Sequence, residues 1–167
     1  MGRYRPPQKP GSKYITAEGY QHLAQELDYL WFELRPEVTK AVSAAAAEGD
    51  RSENAEYIYR KKQLREIDSR VRFLRKRLEN MKVVSSIPDD QNKIFFGAWV
   101  TVEDEEGKAQ RYRIVGPDEF DREEEYISMD SPVAQALLGK KLDDDVSLIL
   151  PKGKKELIII DIEYSAT

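Results

Sequence analysis

The chain runs to 167 residues, 40% hydrophobic and 35% charged, with a formal net charge of −4 and no cysteine. That length allows a small core plus one extended element but not two large domains, and the mixed charge excludes nucleic-acid binding by the whole surface. Without cysteine there is no disulfide, thiolate metal site or thiol nucleophile; no apolar run nears the ~20 residues that span a bilayer, so no membrane role is expected and the cytoplasm is the default location.

Residues 1–13 open on Pro, Gly and basic side chains, a composition that predicts a disordered extension. Thr16 reads as a helix N-cap with Glu18 in the first turn. Tyr20, Leu23, Leu27, Leu30 and Leu34 then recur at alternating steps of three and four, a narrow stripe that calls for a partner helix. The stripe shifts at Val38 and Val42 beside Pro36, whose missing donor should bend or loosen the helix without ending it. Four alanines at 44–47 close this arm before Glu48 and Gly49, which predicts a thin end.

After GDRSEN a second helix is expected to run to about Lys82. Tyr57, Leu64, Ile67, Val71, Leu74, Leu78 and Met81 fall on its a and d positions, and only Arg60 interrupts the register. Two such helices joined by a short turn make an antiparallel hairpin, each arm about 30 residues and so ~45 Å long. SSIPDDQN marks a linker at 85–93. Beyond it IFFGAWVTVE and AQRYRIVG flank the turn DEEGK, and EYISM, VSLIL and ELIIIDIEY supply further strands. One short helix interrupts them, with Ser131 as N-cap, Pro132 at its first position and Gly139 past its end. The fold class is therefore α+β, with a small antiparallel sheet on a helix following the hairpin.

Asp50 and Glu53 stand at the turn of the hairpin, three residues apart, and admit two readings. They form a capping box for the second helix, or two hard oxygen ligands that share a divalent cation such as Mg²⁺ with a second protein, since two carboxylates alone hold it weakly. Arg60, Lys61, Lys62, Arg65, Arg70, Arg72, Arg75, Lys76 and Arg77 make the second arm basic. They either answer acids on the first arm or form a track for phosphates. The lone His22 is given no role. Phe95, Phe96, Trp99, Tyr112 and Tyr126 read as core positions before a base-stacking platform, and the acidic residues at 121–125 and 143–145 read as solvated loops.

The block LRPEVTKAVSAAAAEGDRSENAEYIYRKKQLREIDSRVRFL resembles the hairpin of the GreA/GreB family of bacterial transcript cleavage factors, with GDRSENAEY matching its tip motif. FFGAWV, RYRIVG and DSPVAQALLGK resemble that family's C-terminal domain, so the likeness covers about residues 14–164. It implies a coiled-coil hairpin at 14–84, a linker at 85–93 and an FKBP-like polymerase-binding domain at 94–167. It further implies a protein that is not itself an enzyme: the hairpin enters the secondary channel of RNA polymerase and stimulates the polymerase's own Mg²⁺-dependent cleavage of backtracked RNA. The tip acids match Asp50 and Glu53, which would help hold a second Mg²⁺ in the polymerase centre that the free protein does not bind. Arg51, Ser52, Asn54 and Tyr57 would orient the tip. Arg60, Lys61, Lys62 and Arg65 match the larger basic patch of one branch of the family and would hold the RNA 3′ segment. Asp130, Ser131 and Pro132 would contact polymerase. Residues 142–145, LDDD, depart from the family's usual Gly-Asp turn. Two other functions compete: a non-catalytic regulator that occupies the same channel, and an FKBP-like isomerase or chaperone.

Overall fold

A computed structural model describes residues 11–49 and 54–165, and it divides into two compact units. The first is the helical hairpin, Glu18–Met81. Helix α1, Ala17–Asp28, passes through a π-helical segment, Tyr29–Leu34, into α2, Arg35–Ala46. Helix α3, Ala55–Asn80, returns alongside them. The π segment is the loosening expected beside Pro36. Pro36 has no N–H for the carbonyl of Phe32, and the Arg35 amide reaches back five residues to the Leu30 carbonyl. The wider turn absorbs the extra residue in the apolar spacing, so that Leu34 and Val38 both reach the seam.

Val38, Ile67 and Val71 form the buried centre of that seam, with Leu27, Leu30, Leu34, Val42 and Leu64 packed around them. The a and d positions of α3 are buried or half-buried throughout, Arg60 included. Polar bonds fix the antiparallel register: Arg35 Nε lies 2.7 Å from Asp68 Oδ1, and Arg70 Nε and Nη2 donate to the two carboxylate oxygens of Glu26 at 2.7 and 3.1 Å. The Trp31 ring packs against the guanidinium groups of Arg35 and Arg75, at 5.1 and 4.4 Å from its centre.

The second unit joins residues 11–17 with residues 82–165. Two short strands that the sequence pattern had left in the hairpin belong here: β1, Tyr14–Thr16, pairs in parallel with β2, Lys82–Val84. Ser12 and Lys13, read as part of the extension, are held in place: Ser12 donates from its amide at 2.9 Å and from its hydroxyl at 2.5 Å to Asp130, and the Lys13 carbonyl accepts from the Lys82 amide at 2.8 Å. The disorder expected of residues 1–10 falls outside the described residues.

A five-stranded sheet follows in the order β5-β4-β3-β7-β6. Its strands are β3, Trp99–Asp104; β4, Ala109–Val115; β5, Tyr126–Ser128; β6, Asp145–Leu150; and β7, Gly153–Glu163. All pairs are antiparallel except β4 with the short edge strand β5, which runs parallel. Helix α4, Pro132–Leu137, covers one face, and its Ala134 and Leu137 share a core with Val100, Val102, Ile114 and Ile159. Burying each large aliphatic side chain there contributes about 1.5–3 kcal/mol. Asp143 sits at φ 70 in the LDDD turn, a left-handed backbone that glycine adopts most readily. Of the aromatic residues expected in the core, Tyr126 is buried, Phe96, Trp99 and Tyr112 are half-buried, and Phe95 is exposed.

Glu119 lies just ahead of the acidic run and is 1% exposed. Its Oε2 accepts from the amides of Thr16 at 2.9 Å and Gly116 at 3.0 Å, and its Oε1 accepts from the Thr16 hydroxyl. These charge-assisted bonds satisfy the buried carboxylate and pin β1 to the end of β4. Among the described residues no helix is long and apolar enough to cross a membrane, and no group of three or more His, Cys, Asp or Glu stands ready for a metal.

Candidate functional site at the hairpin turn

The alanine-rich end of α2 closes with a last α-helical bond, the Ala47 amide donating to the Ser43 carbonyl at 3.2 Å, and a tighter turn in which the Glu48 amide donates to the Ala45 carbonyl at 3.3 Å. Gly49 follows at φ 133, a backbone that L side chains rarely adopt. On the far side of the turn Asn54 is the N-cap of α3: its φ and ψ are −83° and 97°, and its Oδ1 accepts from the Tyr57 amide at 3.0 Å. Its Nδ2 donates to the Ala45 carbonyl at 2.6 Å. One carboxamide therefore caps the second arm and ties it to the first.

This corrects one reading of the acidic pair. Helix α3 starts at Ala55, so the cap is Asn54, and Asp50 with Glu53 is not its capping box. Asp50, Arg51, Ser52 and Glu53 themselves lie outside the described residues. Tyr57 is half-buried on the seam, with the Lys61 ammonium 5.9 Å from its ring centre.

The basic residues of α3 separate into classes. Arg70 answers Glu26 across the hairpin, as a structural coiled-coil pair would. Arg60 is held within its own helix: Nε donates to Glu56 at 2.8 Å and Nη1 to Gln63 at 2.9 Å. That hydrogen bond to Glu56 raises the Arg60 pKa above its ordinary value. Lys61, Lys62 and Arg65 are exposed, and among the described residues none carries an ion pair. Their charges remain available to a polyanion.

In the second unit, Asp130 accepts from Ser12, the Ser131 hydroxyl caps α4 by accepting from the Ala134 amide at 3.2 Å, and Pro132 occupies the first turn of that helix. The first two side chains thus hold local structure. A cavity of about 140 Å³ opens between sheet and helix, lined by Val102, Tyr112, Val133, Leu148 and Leu157. Sequence reasoning passed over Ile58 and Tyr59, which stand exposed beside the turn. Their position off the a and d register was the signal that could have found them.

Residues 13–83 match the family model described as transcription elongation factor, N-terminal, and residues 89–164 that described as transcription elongation factor, GreA/GreB, C-term. The chain is 62% identical over 164 residues to transcription elongation factor GreB of Pseudomonas aeruginosa, covering 98% of each. It is 60% identical over 153 residues to transcription elongation factor GreB of Yersinia pestis, covering 92% of this chain and 90% of that one. Among solved structures it is similar to GreA factor homolog 1 of Thermus thermophilus, at 27% identity and a TM-score of 0.40 over 90% of this chain and 97% of the other.

Proposed function

The chain belongs to the GreA/GreB family, it is a transcription elongation factor that acts on RNA polymerase, and from that premise we propose that its hairpin enters the polymerase's secondary channel and stimulates cleavage of backtracked RNA. The observation that carries this reading is the position of the cap. Asn54 satisfies the first turn of α3, so the acids at 50 and 53 are not needed for capping. Two carboxylates at the turn of a slender hairpin are hard oxygen donors, a set that suits Mg²⁺ yet is too small to hold it alone. Asp50 and Glu53 would complete a site whose other ligands belong to the polymerase. Magnesium bound there supplies charge stabilisation at the attacking and leaving oxygens. The protein's own part is to deliver and orient the two acids, with Asn54 fixing the turn and Lys61, Lys62 and Arg65 holding phosphates of the RNA 3′ segment. The bond-breaking centre is the polymerase's, and the place of work is the cytoplasm.

A stalled, backtracked elongation complex tests this. Wild-type protein is expected to shorten the RNA 3′ end only with polymerase and Mg²⁺ present, and to leave free RNA uncut. Asp50→Asn and Glu53→Gln should each compete with wild type for polymerase, keep native helix content and lose about 100-fold in cleavage rate, the scale of a lost electrostatic stabiliser. Raised Mg²⁺ should restore part of it. Near wild-type cleavage by either variant at ordinary Mg²⁺ would remove that acid from the mechanism. Tight competition by wild type without cleavage would leave a non-catalytic occupant of the channel.

A further inference from the structure

We infer that Tyr59 is a base-stacking platform for single-stranded RNA, set beside the turn by Arg60; this rests on the reading that the hairpin meets extruded RNA. Tyr59 is 59% exposed and Ile58 53% exposed, both in the second turn of α3. They point off the seam, which is occupied here by Tyr57, Arg60 and Leu64. Phe32 and Phe73 are exposed aromatic rings on the same hairpin, and what sets Tyr59 apart is the run of basic residues that follows it.

Arg60 explains the orientation. Its guanidinium lies 5.5 Å from the centre of the Tyr59 ring while Glu56 and Gln63 hold its nitrogens. The ring is therefore placed by a cation whose charge is already matched by Glu56, and Arg60 acts as a positioning residue rather than a free phosphate contact. The free cations lie on the same side: Lys62 follows Tyr59 by three residues and Ile58 by four, and Arg65 follows Ile58 by seven, the spacings of one helix face. From Ile58 to Arg65 the segment has four basic residues and no acid. Charge complementarity thus selects a polyanion as the occupant. An aromatic face interleaved with cations on a single helical stripe is how proteins grip single strands without reading sequence, bases stacking on the ring while phosphates meet the cations. Stacking strengthens with the size of the base, so a purine at the stacked position should be held better than a pyrimidine.

The test uses full-length protein on elongation complexes backtracked by defined distances, with 2-aminopurine at single positions of the extruded RNA. It is run on an Asp50→Asn background so that the RNA stays intact. Binding should quench 2-aminopurine at one position; Tyr59→Phe should keep the quench, and Tyr59→Ala and Tyr59→Leu should lose it. With Asp50 restored, Tyr59→Ala should need about tenfold more protein for half-maximal cleavage of long extruded RNA, and the same amount as wild type at the shortest backtrack. A quench that survives Tyr59→Ala, or that appears at no position, overturns the inference whether or not cleavage occurs. Rescue by Leu, or an equal loss at every backtrack length, overturns it in favour of apolar contact with the polymerase. A Tyr59-dependent quench in a protein that stimulates no cleavage keeps the inference and refutes the function proposed for the acidic pair.

Discussion

Asn54 and Ala45 are nine residues apart in the chain, yet the Asn54 carboxamide donates to the Ala45 carbonyl at 2.6 Å, closing the turn that carries Asp50 and Glu53. The same side chain accepts from the Tyr57 amide. A carboxamide accepts through its oxygen on one arm and donates through its nitrogen to the other, which an ionised carboxylate cannot do. Asn54→Asp keeps the acceptor, and so the cap, but sets an oxygen against the Ala45 carbonyl in place of a donor. Native helix content with about a 10- to 100-fold loss of cleavage is expected, the cost of a loosely positioned catalytic group. Asn54→Ala loses the cap as well, about 1 kcal/mol of stability. Thermal unfolding and transcript cleavage assays separate the two effects, and wild-type cleavage by the Asp variant would deny the Ala45 bond a positioning role.

What the sequence disclosed follows from periodicity. The seam from Tyr57 to Met81 was legible because apolar side chains recur on one helix face, and the strands because β-branched residues cluster between turn formers. The cap was not, because GDRSEN offers Asp50, Ser52 and Asn54, all good N-caps, and the choice depends on the Ala45 carbonyl across the turn. Likewise β1 and β2 are three residues each, too short for a pattern, and their pairing joins segments 68 positions apart in the chain. Glu119 had no signal in the sequence pattern; its burial depends on donors more than a hundred residues away on Thr16.

The hairpin's cross-links should differ in their response to salt. Trp31 packs against both Arg35 and Arg75, and Trp31→Ala should cost about 1–2 kcal/mol. Arg70 and Glu26 pair at side-chain exposures of 44% and 37%, so Arg70→Ala should cost less than about 1 kcal/mol. Helix unfolding followed by circular dichroism at rising ionic strength should erase most of the Arg70 effect and spare most of the Trp31 effect. Equal salt responses would mean that Trp31 contributes only through the charges beside it.

Gly116 has no room for a side chain. A Cβ there would lie 2.2 Å from the Tyr14 carbonyl oxygen and 3.1 Å from Glu119 Oε2. Gly116→Ala must push β1 aside, at a cost of about 1–3 kcal/mol. Glu119→Gln keeps the shape and can set its carbonyl oxygen against the Thr16 and Gly116 amides, but it deletes the charge and turns its NH2 toward the Thr16 hydroxyl, and should cost about 1.5–3 kcal/mol. Both variants are expected to lower the unfolding temperature of the second unit, and exchange of the Thr16 amide with deuterium should accelerate. Unchanged protection at Thr16 in Glu119→Gln would show that β1 is held by its pairing with β2 alone.

The free cations of the hairpin make the sharpest test of RNA holding, because charge pairing has already removed Arg60 and Arg70 from the count. Lys61, Lys62 and Arg65 are exposed and lie along α3 beyond the turn, so under the proposed function they would meet RNA only when enough of it has been extruded. Replacing all three with Ala should leave cleavage at the shortest backtrack near wild type and weaken it on long extruded RNA. Each lost phosphate contact removes about 0.7 from the slope of log affinity against log salt for a single strand, so the triple variant should show a slope shallower by about 2. Helix content should hold, since no ion pair among the described residues involves these side chains. The measurement is half-saturating protein concentration for cleavage across a salt series, at two backtrack lengths. A slope that does not change, or an equal loss at both lengths, would mean that the three cations stabilise the hairpin or its docking and do not hold RNA.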